Sequence, residues 1–520
     1  MELSRYPLGI QDFKKLRNQN CVYVDKSAAI FDLTRNYYVF LSRPRRFGKS
    51  LLSSTLKYYF RGERELFTGL AIEKLETEWV KYPVLHFDLS STKNRDIAGI
   101  ESEISEMLSS YEDEYEIVKR NDLTLGQRLS VLITTASAKV GKRTVVIVDE
   151  YDAPLLDALH KDRELEDIRR LMQEFFTPLK SRDADLRFVF ITGITKFSQM
   201  SIFSSVNNIQ NVSMLPKYST ICGISEDELY TVFSEDIKEL AHKYKVTTDQ
   251  IKQMLKDNYD GYHFAEDLKD VYNPFSILSA FSQMKIQLYW FASGTPTFLI
   301  KQMEHFNTNV TQLDGIYVDA SAFDRPTEAL TDANPLLYQS GYLTIKDYNL
   351  HTDAYTLGIP NKEVRVGLMD NLLQTYTNKT ASENSTLTLQ MYSSLSDGNM
   401  DELFRVLKSY LSGIPYIEAN GELTRKESFY ETILYVIFSM MNRYVQTQVK
   451  SARGRTDIVM ETSSTIYVME LKIDSSARMA LDQIDSKDYM LPYSAYGKSL
   501  VKCGVNFSSQ TRTIEDWIVV

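Results

Sequence analysis

Four short apolar runs mark the first two hundred residues: Tyr38–Ser42, Val84–Phe87, Thr144–Val148 and Phe188–Thr192. Amphipathic segments lie between them, so the pattern predicts buried strands of a largely parallel sheet alternating with helices over residues 1–220. Residues 223–330 read as mainly helical, with Ser225-Glu-Asp-Glu at an N-cap. Tyr259-Asp-Gly-Tyr262 and Tyr272-Asn-Pro-Phe275 punctuate that region as turns. A short β-rich stretch is expected from Leu336 to Val366, and the polar segment Tyr376–Thr386 is the best linker candidate. Residues 401–445 read as helical again, and 454–507 as strands around a helix.

Composition narrows the class. At 520 residues the chain should hold two or three domains, and its 43% hydrophobic and 25% charged content is that of a soluble globular protein. The longest apolar stretch, Phe429 to Met441, is broken by Glu431, Thr432 and Ser439 and is too short to span a bilayer. No membrane association is expected. The first residues lack a secretory layout, and a cytoplasmic location is the expectation. Cys21, Cys222 and Cys503 are scattered and the six histidines dispersed, which excludes a readable zinc site or disulfide framework. Metal chemistry must then rest on carboxylates, which favours Mg²⁺ or Mn²⁺. The net charge of −10 lies almost wholly in residues 1–400. That argues against a generic nucleic-acid coat and leaves room for a basic groove in the C-terminal part.

The strand Tyr38–Ser42 runs into Arg43-Pro-Arg-Arg-Phe-Gly-Lys-Ser50 and then an amphipathic helix. Strand, loop and helix in that order make a phosphate-binding loop. Its N–H groups can cradle a polyphosphate, with Gly48 at the turn, Lys49 on the β/γ end and the Ser50 hydroxyl on Mg²⁺. A second Gly-Lys-Ser, at 497–499, leads into a strand and has none of this context. Arg43 stands where the usual pattern has glycine, a position that often needs a tight turn. Arg45 and Arg46 are nucleotide-binding candidates; contact with phosphate, with nearby acids or with a partner are all open to them. The strand Thr144–Val148 ends in Asp149-Glu150-Tyr-Asp152. Asp149 suits Mg²⁺ and Glu150 the attacking water, with Asp152 an alternative base. Thr192 or Thr195, at the end of another strand, is either a γ-phosphate sensor or part of a surface turn.

Near the C-terminus, Gly454-Arg-Thr-Asp457 and Glu470-Leu-Lys472 lie on two strands of a hairpin. If the loop is even and centred between Ser463 and Ser464, Asp457 falls opposite Glu470, with Cβ atoms roughly 5 Å apart. Like charges so close call for a divalent cation held by Asp457 and Glu470. Lys472 alongside can orient a hydroxide or stabilise developing negative charge. This is the PD-(D/E)xK constellation, and an odd loop would move Asp457 to the other face. Glu427 on the preceding helix is a further catalytic candidate, with Glu431 its competitor. On the following helix, Gln483, Lys487 and Tyr489 can face the cluster or phosphate.

These motifs, with Tyr23-Val-Asp-Lys26, Gly193-Ile-Thr-Lys196 and Gly341-Tyr-Leu-Thr344, give the chain a resemblance to a bacterial family. Its members join an AAA-ATPase-like, STAND-like P-loop domain to a PD-(D/E)xK nuclease-like domain. The resemblance implies an α/β architecture in three parts. A P-loop NTPase parallel sheet with helices on both faces covers 1–222, and a helical lid or winged-helix-like region with a short β-rich part covers 223–385. A restriction-endonuclease-like α/β domain covers 386–520. Arginine at position 43 looks ordinary in such proteins, whereas Gln448 stands where relatives often carry an acid. The function expected is an ATP-binding, ATP-regulated, Mg²⁺- or Mn²⁺-dependent nuclease, with ATP and DNA as partners and an oligomer compatible with the fold. A nucleotide switch whose nuclease-like domain only binds a partner is the alternative. A phosphotransferase ranks third, because it leaves the C-terminal carboxylates unexplained.

Overall fold

The computed structural model describes residues 5–520 except 94, 121, 157, 159–161, 196–208, 291–296, 325–329, 415–425, 442–445, 450–456 and 512. The side chains of 162, 163, 297, 298, 324, 426–431 and 446–449 also fall outside the description. The chain divides into two compact units, one of residues 1–290, 301–308 and 315–360, the other of 291–300, 309–314 and 361–520.

In the first unit β1 (Tyr38–Ser42), β2 (Val84–Asp88), β3 (Thr144–Asp149), β4 (Leu186–Gly193) and β5 (Gln210–Asn211) form a parallel sheet in the order β2-β3-β4-β1-β5. Every residue of β1 and β3 is buried. Both faces are covered, which is why the strands read as unbroken apolar runs. β4 lies between the other two, pairing Ser42 with Gly193 and Val148 with Ile191, so the C-terminal tips of β1, β4 and β3 end side by side. The helix Lys49–Phe60 follows β1 after a six-residue loop and packs against β2, β3 and β4.

The helical segment that follows starts where the pattern placed it. Ser225 and Glu228 form a capping box at the helix Glu226–Val232. Glu228 also takes two hydrogen bonds from Lys26 Nζ, at 2.7 and 2.6 Å, which ties the Tyr23–Lys26 motif to this cap. A short ribbon of β6 (Ile224–Ser225) and β7 (Val271–Tyr272) precedes the helix Pro274–Gln283. Three antiparallel strands, β8 (Ile316–Asp319), β9 (Thr344–Asn349) and β10 (Ala354–Gly358), form a small sheet in the order β8-β10-β9. The β-rich part therefore starts earlier and ends earlier than expected: β8 lies in the stretch read as helical, Leu336 belongs to the helix Asn334–Ser340, and Val366 to the helix Lys362–Thr377.

In the second unit the expected linker proves to be a tight connection between two helices. Thr377 ends one, and a Thr380–Glu383 capping box opens the next, Ala381–Ser396. Polar composition there reflects capping, because Thr and Glu side chains satisfy the free N–H groups of a helix start. The helices Met400–Ser412 and Lys426–Met440 follow. A five-stranded mixed sheet comes last, in the order β11 (Gln446–Val449), β12 (Ile458–Glu461), β13 (Thr465–Ile473), β14 (Ser499–Ser508) and β15 (Thr513–Val519). Only β13 and β14 run parallel, joined by the helix Ala477–Ser486 that packs on both. Gly504 allows this close packing, since a Cβ there would lie 2.2 Å from the carbonyl oxygen of Ala477.

Candidate functional site

The P-loop side chains divide by direction. Gly48 adopts φ +92°, a left-handed conformation open to glycine, and starts the helix Lys49–Phe60 without a side-chain cap. The first-turn N–H groups and the helix dipole are thus left to a ligand. Lys49 is buried and donates from Nζ to the carbonyl oxygens of Arg43 and Pro44, at 3.0 and 3.2 Å, while lying 3.6 Å from Glu150. Arg43 points away from this locus. Its guanidinium donates to the carbonyl oxygens of Ser42, Ser213 and Tyr218 at 2.9, 2.7 and 2.9 Å, and it lies 4.4 Å from the centre of the Phe264 ring. Arg43 is not among the positive-φ residues, so a Cβ meets no backbone penalty there. The apparent fault in the motif is a structural bolt.

The acid-tipped strand β3 meets the loop. Ser50 hydrogen-bonds to the Asp149 carboxylate. Burial, and then the neighbouring Glu150, push the Asp149 pKa up to about 7, against the Ser50 bond and the Lys49 charge. Burial also opposes ionisation of Glu150, but Lys49, Lys93 and Arg45 together outweigh it and hold its pKa below the usual range. Lys93 Nζ lies 3.5 Å from Glu150 Oε2. Asp152 has a different job: its Oδ2 accepts from the N–H of Ile194, the N–H of Thr195 and the Thr195 hydroxyl, at 3.0, 2.7 and 2.7 Å. Thr192 donates to the Leu41 carbonyl at 2.7 Å. Both threonines are buried, their hydroxyls donating to Leu41 and Asp152, so neither belongs to an exposed surface turn. Arg46 lies flat on Phe275, 3.6 Å from the ring centre. Beside Gly48 opens an apolar cavity of about 100 Å³, walled by Tyr23, Val24, Phe47, Ile221, Pro274 and Leu278 among others.

In the second unit the hairpin register is the one expected. Ile458 pairs with Met469 and Glu461 with Ile466, so the next step brings Asp457 to Glu470. Asp457 Oδ2 accepts from the Leu471 N–H at 2.9 Å. Burial raises the Asp457 pKa, against that bond and Lys472. Burial, and then Asp457, lift Glu470 to about 7, with Lys472 opposing. Lys472 Nζ lies 3.3 Å from Glu470 Oε1 and donates to Gln483 Oε1 at 2.5 Å, while Gln483 Nε2 donates back to Glu470 Oε1. Glu470 Oε2 is buried and has no hydrogen-bond partner among the described residues. Among the described residues no group of three His, Cys, Asp or Glu side chains forms a metal cluster. The side chains of Glu427, Glu431 and Gln448 lie outside the described residues.

Comparison with known proteins follows the same division. A family described as Predicted AAA-ATPase matches residues 7–203, and the PD-(D/E)XK nuclease superfamily matches residues 425–517. An "Uncharacterized protein in vnfD 5'region" of Azotobacter chroococcum mcd 1 is 32% identical over 536 residues, covering 100% of this chain and 99% of that protein. The chain belongs to the family that joins an AAA-ATPase-like domain to a PD-(D/E)XK nuclease-like domain. Among solved structures, the Aeropyrum pernix ORC1 protein in complex with DNA shares 11% identity at TM-score 0.26, covering 91% of this chain and 95% of its own. Cdc6p of Pyrobaculum aerophilum shares 12% at TM-score 0.26, covering 70% and 93%. No helix among the described residues is long and apolar enough to cross a membrane.

Sequence reasoning missed Lys93. It sits past the tip of β2, two residues from Arg95, and nothing local links it to an acid 57 positions away. The signal available was topological: β2 is the neighbour of β3, so whatever follows β2 reaches the Asp149–Glu150 corner.

Proposed function

We propose that this chain is an ATP-regulated nuclease dependent on Mg²⁺ or Mn²⁺. In the first unit the residues present fit a nucleotide: uncapped N–H groups after Gly48, Lys49 for the phosphates, Ser50 and Asp149 for the attendant cation, and Glu150 beside them. The apolar cavity next to Gly48 suits the base. Arg45, whose charge reaches Glu150, completes the polar rim.

One observation carries the nuclease reading. Glu470 buries a carboxylate oxygen with no hydrogen-bond partner among the described residues, next to a second carboxylate and a lysine. Hard oxygen donors suit Mg²⁺ or Mn²⁺, and Asp457 with Glu470 would hold it. Such an ion, when bound, supplies charge to the scissile phosphate and acidifies water. The chain's own residues do the rest. The Leu471 N–H orients Asp457, and Gln483 fixes Glu470 and Lys472 together. Lys472 places a positive charge where phosphate oxygens gain negative charge during hydrolysis.

The test uses the full-length chain with single- and double-stranded DNA and RNA, Mg²⁺ or Mn²⁺, with and without ATP. Wild type should cut, Lys472→Ala should not, and Lys49→Ala should lose the ATP effect. A wild-type chain that cuts none of these substrates sinks the reading. A partner-binding switch is favoured by the lack of a third acid among the described residues. Nucleotide binding with no metal bound at Asp457 and Glu470 would support it.

A further inference from the structure

Three aromatic rings from the segment after the parallel sheet close on the P-loop, all within the first unit. Phe264 lies under the Arg43 guanidinium and Phe275 under that of Arg46. Phe47, fully buried between these arginines and Gly48, meets Tyr262 and Phe264 edge-on at 4.8 and 5.2 Å. Tyr259–Tyr262 and Tyr272–Phe275, which the sequence offered only as turns, therefore supply the far wall of the phosphate loop.

Arg46 has φ +67°. A left-handed conformation strains a residue with a Cβ and is normally given to glycine. The Gly223 N–H donates to the carbonyl of the next residue, Phe47, at 3.1 Å, and the Phe275 ring stacks on the Arg46 side chain, 3.6 Å from the guanidinium. The ring is itself held. Pro274 opens its helix, and Asn273 caps it by accepting from the Ser276 N–H at 3.1 Å. The Asn273 N–H in turn donates to the Tyr259 carbonyl at 3.1 Å. Two residues after Arg46, Gly48 turns the chain into the helix whose N–H groups stand open. The direction of those groups follows from the turn at residues 46–48.

We propose that Phe275 is a positioning residue for the nucleotide: its ring holds Arg46 in the left-handed turn that aims the P-loop N–H groups at the polyphosphate. This rests on the nucleotide reading above and assigns Arg46 to the loop's shape rather than to the phosphate. It also explains why helix Pro274–Gln283 contributes Pro274 and Leu278 to the cavity beside Gly48. The same helix that sets the loop lines the space next to it.

The experiment is a titration of the full chain with a fluorescent ATP analogue, competed with inorganic triphosphate. Phe275→Leu, which keeps bulk and removes the ring's face, should weaken both ligands about 3- to 10-fold. Arg46→Ala should weaken them by the same factor, and the double variant no further, because one contact is removed either way. Phe275→Tyr should restore wild-type affinity, a rescue that loss of general packing would not show. Should Phe275→Leu fail to fold, Arg46→Gly removes the stack and the left-handed strain together, and it should bind more tightly than Arg46→Ala because glycine adopts the turn unaided. Wild-type affinity in Phe275→Leu overturns the proposal, as does an Arg46→Gly chain that binds no better than Arg46→Ala. So does a loss in Arg46→Ala alone, which would put Arg46 on the phosphate. A wild-type chain that binds no ATP sinks the nucleotide reading instead, and the two failures are distinguishable.

Discussion

Two pairs of acids, one in each unit and each with one buried member, sit at strand ends and differ in how their charge is met. At the end of β3, Glu150 lies between Lys49 and Lys93, and Asp149 takes hydrogen bonds from Ser50 and from the Glu150 N–H. At the β12–β13 hairpin, Asp457 and Glu470 share one lysine, and one oxygen of Glu470 has no hydrogen-bond partner among the described residues. The first pair meets Lys49, Lys93 and Arg45. Among the described residues the second meets one cation, and an uncompensated buried carboxylate costs several kcal/mol. A cation therefore stabilises the second pair more than the first, while a polyphosphate at the first must draw Lys49 away from Glu150.

The largest effect separates the two pairs by ligand. Lys49→Ala should lower ATP affinity about 100-fold or more, as expected when a buried charged partner is lost, and Lys49→Arg should recover part of it. Isothermal titration reads this directly. Equal affinity in Lys49→Ala would break the link between the first pair and nucleotide. Next in size, Lys472→Ala should reduce phosphodiester cleavage about 100-fold and leave ATP turnover as in wild type. A parallel loss of turnover would show that the two pairs do not divide the chemistry as their surroundings suggest.

A pH series sharpens the contrast without any substrate. Glu470 is raised to about 7 in the fold from an ordinary 4.5, so the folded chain binds more protons than the unfolded chain between those values. Stability from this group is present at low pH and declines as pH rises from about 4.5 to about 7. In EDTA at pH 8, Glu470→Gln should melt about 3–5 °C above wild type, the gap closing near pH 5. Added Mg²⁺ or Mn²⁺ should stabilise wild type at pH 8 and leave the variant unmoved. A wild-type melting point indifferent to metal would remove the charge deficit from the argument.

What could be read in advance follows the range of the interactions. Four of the five strands of the parallel sheet, the Ser225 cap and the hairpin register depend on local pattern and stand where it put them, whereas the two-residue β5 is too short to carry a pattern. Arg43 could not be read: its partner carbonyl on Tyr218 is 175 residues away, and locally it is only a missing glycine. The helix start at Thr380 was taken for a linker because capping residues and linker residues are the same polar types. Gln483 was visible as a candidate, but its bonds to both Glu470 and Lys472 needed the helix Ala477–Ser486 to lie across β13 and β14.

The smallest expected effect concerns the balance within the first pair. Lys93 is partly exposed, so its bond to Glu150 contributes little to stability, and Lys93→Met should leave the melting point within about 1 °C. Its effect on chemistry should be larger than its effect on the fold. Once a polyphosphate engages Lys49, Lys93 and Arg45 are the remaining cations described near Glu150, and Lys93, 3.5 Å away, helps to hold that carboxylate in a low-basicity state. Removing it should raise ATP turnover about 2- to 5-fold at neutral pH, because a carboxylate with a higher pKa is the better base. Steady-state turnover at saturating ATP measures this free of binding changes. A fall in turnover would mean that Lys93 meets the phosphate rather than restraining Glu150, and the first acid pair would then be less self-sufficient than its hydrogen bonds imply.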